Sequence, residues 1–228
     1  MFPGAPWPAT NETTVIKSKR DTEKFMDNFY HAGHRQLQTE FQSQALADRL
    51  EEIIVQPALD GDAQAFIEAQ DHFFLTTVDT SGFPTVSYKG GNPGFVQVVD
   101  ATTLLFPCFD GNGMWLSMGN ILEHEKIGML FINMVEPHRV RIQGTATLTR
   151  EPSVLDQWQD VGLAVQVNIS HTWINCPRYI HPMEKRHQSP HVPTREHITE
   201  AAEWKSLELV ADVIPPEPHT LRGPGKSK

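Results

Sequence analysis

Between Arg139 and Leu148 the chain alternates without a break. Val140, Ile142, Gly144, Ala146 and Leu148 fall on one side, and Arg139, Arg141, Gln143, Thr145 and Thr147 on the other. A period of two belongs to a strand, and one apolar face with one polar face suits antiparallel sheet. Val165, Val167 and Ile169 alternate in the same way with Gln166, Asn168 and Ser170, ending at Trp173. Shorter runs at Phe73–Val78, Pro84–Lys89, Val96–Val99 and Thr103–Phe106 also read as strands, as does the nearly continuous apolar run Ile127–Met134. Asp79-Thr80-Ser81-Gly82 reads as a hairpin turn, with glycine where a positive φ is needed. Short strands joined by hairpin-scale turns, with no regular βαβ alternation, predict a mainly β, α+β chain: an antiparallel β-barrel with flanking helices.

Helical spacing governs the N-terminal part. Phe25, Phe29, Leu37 and Phe41, then Leu46, Leu50 and Ile54, predict helix over 21–55, with Asp21 as N-cap. Asp62 is the expected cap of a short helix through Ala69, with Phe66 inward. Further helices are expected at Met114–Glu123, around Ser153–Asp160 and over 195–207. The predicted organisation is a flexible N-terminus at 1–18 and N-terminal helices packing on the barrel at 19–60. A barrel domain at 61–185 follows, then a C-terminal helix and loose tail at 186–228.

Nineteen Lys and Arg against 28 Asp and Glu give a net charge of −9. With no basic stripe, a nucleic-acid partner is excluded. No apolar run approaches the ~18 residues of a membrane span. The first residues have neither the basic start nor the apolar core of a secretory signal. Cys108 and Cys176 are read as reduced thiols of a cytoplasmic protein, with a bridge as the alternative. His181, His187 and His191 follow Cys176 at spacings that fit no compact zinc module, so no metal is expected. His31 and His34 share a helix face, where a structural role is favoured over a metal pair.

The segment Ser87–Asn120 carries the strongest functional signal. Two glycine-rich turns, Gly90-Gly91-Asn92-Pro93-Gly94 and Asp110-Gly111-Asn112-Gly113, flank a β-like run, and Lys89 ends the strand that enters the first turn. Backbone that a ligand can approach closely, with one cation and several hydroxyls, suits an anionic, flat cofactor. The chain has no nucleophile elbow, Walker loop or G-x-G-x-x-G.

Taken in order, these features resemble the pyridoxamine 5′-phosphate oxidase-like family of FMN-binding split barrels. The order is a strand, the Asp79–Gly82 turn, a strand ending Ser87-Tyr88-Lys89-Gly90, the Asp110–Gly113 turn, a helix ending near Asn120, then residues 128–148. Asn175-Cys176-Pro177-Arg178-Tyr179-Ile180, HAGHRQLQ at 31–38 and ADRLEE at 47–52 also resemble uncharacterised members. The chain departs from the true oxidase at two places. Leu116-Ser117-Met118 stands where the oxidase has a phosphate-gripping Arg-Lys pair, and the C-terminal Arg-Leu-x-Pro ending is missing. The resemblance therefore points to an uncharacterised branch and away from vitamin B6 oxidation.

The resemblance implies a homodimer with FMN in clefts between subunits, and an oxidoreductase acting on an unidentified small molecule. The candidate cofactor-binding residues are Ser87, Tyr88, Lys89, Gly90, Asn112, Ser117, Asn120, Arg139, Arg141, Arg178 and Tyr179. Lys89 is the first candidate for the phosphate or the flavin pyrimidine; a solvated strand-end lysine is its alternative. Ser87 and Ser117 offer hydroxyls, and Ser117 begins a helix whose N–H groups suit an anion. Asn112 and Asn120 are equally suited to turn and cap chemistry. Arg178 presents a planar fork beside Tyr179, and an ion pair is its alternative. Arg139 and Arg141 share the polar face of one strand and are implied to serve the same or the partner subunit. Tyr88, Tyr179 and His138 are candidates for proton transfer, with no catalytic residue assigned. The alternatives are a non-catalytic flavin carrier or sensor, a haem- or deazaflavin-binding relative, and a cofactor-free dimerisation module.

Overall fold

The computed structural model describes residues 29–185, 187–194, 202–210 and 212–214. They fall into two compact units divided after Glu52. Helix α1 (Ala32–Glu40) lies in the first, and α2 (Gln44–Ile54) carries the chain across the division. The helix expected over 21–55 is broken at Gln42, whose φ of +53° no helix accommodates, and its first residues lie outside the described ones. The His31 and His34 rings stack at 3.6 Å, and both Nδ1 atoms accept backbone N–H bonds at the start of α1. The shared face thus caps the helix. Tyr30 donates to the Ala47 carbonyl, and the Arg35 guanidinium lies over the Tyr30 ring and pairs with Asp48.

The first helix wholly within the second unit is α3 (Gly61–Ala69). Asp60, not Asp62, caps it, accepting from the Ala63 N–H at 2.8 Å. Its buried residue is Ile67, with Phe66, the expected inward residue, only partly buried against the core. Seven strands follow: β1 (His72–Val78), β2 (Pro84–Gly90), β3 (Gln97–Asp100), β4 (Thr103–Pro107), β5 (Lys126–Asn133), β6 (His138–Thr149) and β7 (Ala164–Ile174). Helix α4 (Leu116–Glu123) separates β4 from β5, and the one-turn α5 (Pro152–Leu155) separates β6 from β7. Helix α4 starts two residues later than expected because Trp115 has a left-handed φ of +56°. Of the helix expected over 195–207, the described part is a 3₁₀ turn, Glu203–Ser206. Among the described residues no helix is long and apolar enough to cross a membrane.

Among the described residues all pairings are antiparallel, in the order β2-β1-β5-β6-β7-β4-β3. The Asp79 carboxylate accepts from Ser81 and Phe83 in the β1–β2 turn, and Gly82 has φ +86° as the hairpin requires. Strands β1 and β4 stand four places apart, which in a flat sheet means ~19 Å. Yet the Phe73 and Phe106 rings meet edge to face with centroids 5.0 Å apart. The sheet is therefore curled into a split barrel around one core, with β2 and β3 as its edges. Val140, Ile142, Ala146, Val165 and Val167 all lie in that core, as their alternation required. Opposite Gly144 the register slips past Ser170, a bulge that tightens the curl. A Cβ at Gly144 would lie 2.2 Å from the Asn168 carbonyl oxygen, so only glycine allows this approach.

Candidate functional site

Strand alternation divides the Ser87–Gly90 motif. Ser87 and Lys89 line a cleft of about 370 Å³ with Cys108, Asp110, Asn112 and Ser117. Its walls are β2, the end of β4, the glycine-rich turn and the first turn of α4. The Ser87 and Ser117 hydroxyls are 3.1 Å apart. Asn112 shapes the turn by accepting from the Met114 N–H at 3.0 Å. Trp115 makes no side-chain cap, and the first helical backbone bond runs from Gly119 to Trp115 at 2.7 Å. The N–H groups of Leu116, Ser117 and Met118 precede that bond, at the end of the helix that favours anions.

Among the described residues Lys89 is the cation lining the cleft. Among the described residues none forms a hydrogen bond or ion pair with its ammonium. Burial pushes its pKa below the ordinary lysine value. Burial also pushes the Cys108 thiol up, against the opposing pull of Lys89, so the sulfur is held as a thiol. Neither Cys108 nor Cys176 is in a disulfide.

The other candidates lie elsewhere. Tyr88 and Gly90 line a second cavity, of about 630 Å³. The Tyr88 ring stacks on His72 at 5.4 Å and lies across Gly90, where a Cβ would come within 2.7 Å of it. The Lys185 ammonium and His72 Nδ1 both engage Asp71, holding its carboxyl below the usual range despite burial. Asn120 turns inward, its amide donating to Thr77 at 3.0 Å and Thr85 at 3.3 Å, which fastens α4 to the β1–β2 hairpin. Arg139 donates to the Cys176 carbonyl at 3.0 Å, and its Nε is buried without a partner among the described residues. Arg141 is exposed on the outer face of β6, and the Arg178 guanidinium lies 5.4 Å from the exposed Tyr179 ring. None of these four, Tyr179 included, lines either cavity within one chain. Of the proton-transfer candidates, His138 packs its ring on Phe66 and lines neither cavity.

Two groups at the cleft are not among the candidate residues, although both lie in the segment that carries the signal. Cys108 follows β4, and its two-residue step from the buried Phe106 is the signal that would have placed it near the core. The Asp110 carboxylate is paired with Lys205 at 2.5 Å, across 95 residues of chain, for which no local signal exists.

A family model described as pyridoxamine 5′-phosphate oxidase matches residues 59–190. No curated protein matches the chain. Among solved structures, HupZ of Group A Streptococcus is 17% identical with a TM-score of 0.43, over 51% of this chain and 93% of that one. A proposed pyridoxamine 5′-phosphate oxidase of Lactobacillus delbrueckii is 22% identical with a TM-score of 0.43, over 52% and 95%. An FMN-binding protein of Syntrophomonas wolfei is 10% identical with a TM-score of 0.40, over 60% and 96%.

Proposed function

The chain belongs to the pyridoxamine 5′-phosphate oxidase family, and from that premise we propose that its β2–α4 cleft binds FMN in a homodimeric oxidoreductase. The observation that carries this reading is the ammonium of Lys89, unpaired among the described residues, in a cleft that also presents the Ser87 and Ser117 hydroxyls and the open end of α4. A half-buried lysine without a counter-ion is costly in the free protein, and an anion relieves that cost. The volume lies within the ~300–1,000 Å³ of small-molecule sites.

Lys89 would take the phosphate or the pyrimidine edge, and Ser87, Ser117 and the α4 N–H groups the remaining acceptors. Bound FMN would supply electron transfer. The chain's own part is to bind, to orient and to exclude water. A cation or N–H at the pyrimidine edge also stabilises negative charge developing there. Arg139, Arg141, Arg178 and Tyr179 would act at the cleft of the second subunit, and the substrate would be a small molecule at the dimer interface.

The homodimer reading is supported by the outer sheet face. Cross-strand neighbours Tyr88, Phe74, Leu130, Arg141 and Trp173 form one continuous row over five strands. Tyr88 is 63% exposed in that row. Two reduced cysteines fit the cytoplasm as its setting.

The test is the visible spectrum of purified protein, followed by addition of a reduced nicotinamide. Flavin bands that bleach rapidly support the oxidoreductase. Flavin bands that do not bleach leave a carrier, and a colourless protein that takes up no added FMN overturns the reading.

A further inference from the structure

The cleft's charge is set by a residue from the far end of the chain. Asp110 lies on the cleft wall with Lys89, so its bare carboxylate would oppose an anion there and offset the formal charge of Lys89. Lys205, on the 3₁₀ turn Glu203–Ser206, reaches Asp110 Oδ2 at 2.5 Å, with its side chain only 12% exposed. Its ammonium also stands 5.8 Å from the Trp204 ring centroid, which holds the amine in place over an aromatic face. With Lys205 in position, Asp110 is neutralised and Lys89 is left as surplus positive charge. Without it, the wall is electrically balanced and has nothing to offer a phosphate dianion beyond hydrogen bonds.

Resting on the FMN reading above, we propose that Lys205 is a specificity-determining residue of the cleft: by masking Asp110 it selects a phosphorylated flavin over the neutral, unphosphorylated one. It acts through Asp110 and is thus a positioning residue for charge. It replaces in effect the Arg-Lys pair that is absent at Leu116-Ser117-Met118. The arrangement also accounts for an acidic residue in a turn that would otherwise be expected to repel the ligand.

The experiment compares FMN and riboflavin affinity in full-length wild type, Lys205→Met, Asp110→Asn and the double variant. Lys205→Met is expected to weaken FMN about tenfold through the unmasked carboxylate while riboflavin changes less than about twofold. Asp110→Asn in that background is expected to restore the FMN preference, a rescue that a merely structural role for Lys205 would not give. Should Lys205→Met misfold, Asp110→Asn alone still decides: it frees the Lys205 charge and must bind FMN more tightly than wild type with riboflavin unchanged, and an unchanged FMN-to-riboflavin ratio overturns the inference. An unchanged FMN-to-riboflavin ratio in Lys205→Met, or a double variant without rescue, overturns the inference and leaves the FMN reading standing. A wild type that takes up no flavin overturns both.

Discussion

The Ser87 and Ser117 hydroxyls stand 3.1 Å apart, one on β2 and one in the first turn of α4. Each has a single hydrogen to donate, so they share one bond and leave the other hydrogen for a ligand or, weakly, for the Leu75 carbonyl at 3.5 Å. Ser117→Ala and Ser87→Ala are each expected to weaken FMN by about three- to tenfold, from a neutral hydrogen bond worth ~0.5–1.5 kcal/mol. The double variant should lose less than the product of the two, because the hydroxyls are coupled. Flavin fluorescence titration checks this, and strictly multiplicative losses would mean that the two act apart.

Lys89→Ala removes the charged partner and should weaken FMN about 10- to 150-fold, the equivalent of ~1.5–3 kcal/mol. The pH response follows from the direction of its shift. Burial lowers the Lys89 pKa, so the ammonium proposed to bind the anion is lost as pH rises through a value below the ordinary lysine one. FMN affinity should therefore fall with pH earlier than an unshifted lysine would allow. Apo stability responds with the opposite sign. The folded state binds this proton more weakly than the unfolded chain does, so Lys89 favours folding more as pH rises between its folded and unfolded pKa values. Titrations and melts of wild type against Lys89→Ala isolate both effects, and a pH profile of FMN binding unaltered by the substitution would remove Lys89 from the site.

Backbone crowding at Gly144 yields a stability prediction independent of any ligand. A methyl group there meets the Asn168 carbonyl oxygen at 2.2 Å, whereas at Gly128 the nearest atom is the Thr76 Cβ at 3.8 Å. Gly144→Ala must push β6 off β7 and should cost about 2–3 kcal/mol, while Gly128→Ala should fall within about 1 kcal/mol of wild type. Urea melts that rank the two variants equally would contradict the close approach.

What the sequence disclosed about this molecule follows the range of the signal. Strand alternation is local, so Val140 through Leu148 and Val165 through Ile169 could be assigned, and with them the antiparallel barrel. The same alternation puts Tyr88 and Lys89 on opposite faces of β2, where they line different cavities of one chain, a division that their adjacency in the motif hides. Asn120 reads in the sequence as a cofactor contact or as turn and cap chemistry, and its bonds to Thr77 and Thr85 have no local signal because those partners lie 43 and 35 residues away. The Asp60 cap was missed by two residues because Asp60 and Asp62 both precede the apolar face, and only the bond to Ala63 separates them. Lys205 reaches Asp110 through the fold alone, and no pattern in the chain announces it.

The outer face predicts the effect of one charge on assembly. Leu130 sits at the centre of the Tyr88–Trp173 row, opposite Phe74 on one side and Arg141 on the other. It is only half-buried and points away from the core that holds Met129 and Phe131, so Leu130→Asp should leave the fold intact. At the centre of an interface, however, a carboxylate would be desolvated without a partner. Wild type is expected to sediment at twice the 25.7 kDa chain mass. Leu130→Asp should dissociate with an affinity loss of about thirtyfold or more. If Arg139, Arg141 and Arg178 serve the second subunit's cleft, FMN affinity should fall in step with dissociation, although Leu130 touches neither cavity. Sedimentation read together with flavin titration over a protein dilution series checks the link. A variant that stays dimeric would remove this face as the interface, and a monomer that retains full FMN affinity would confine the site to one chain.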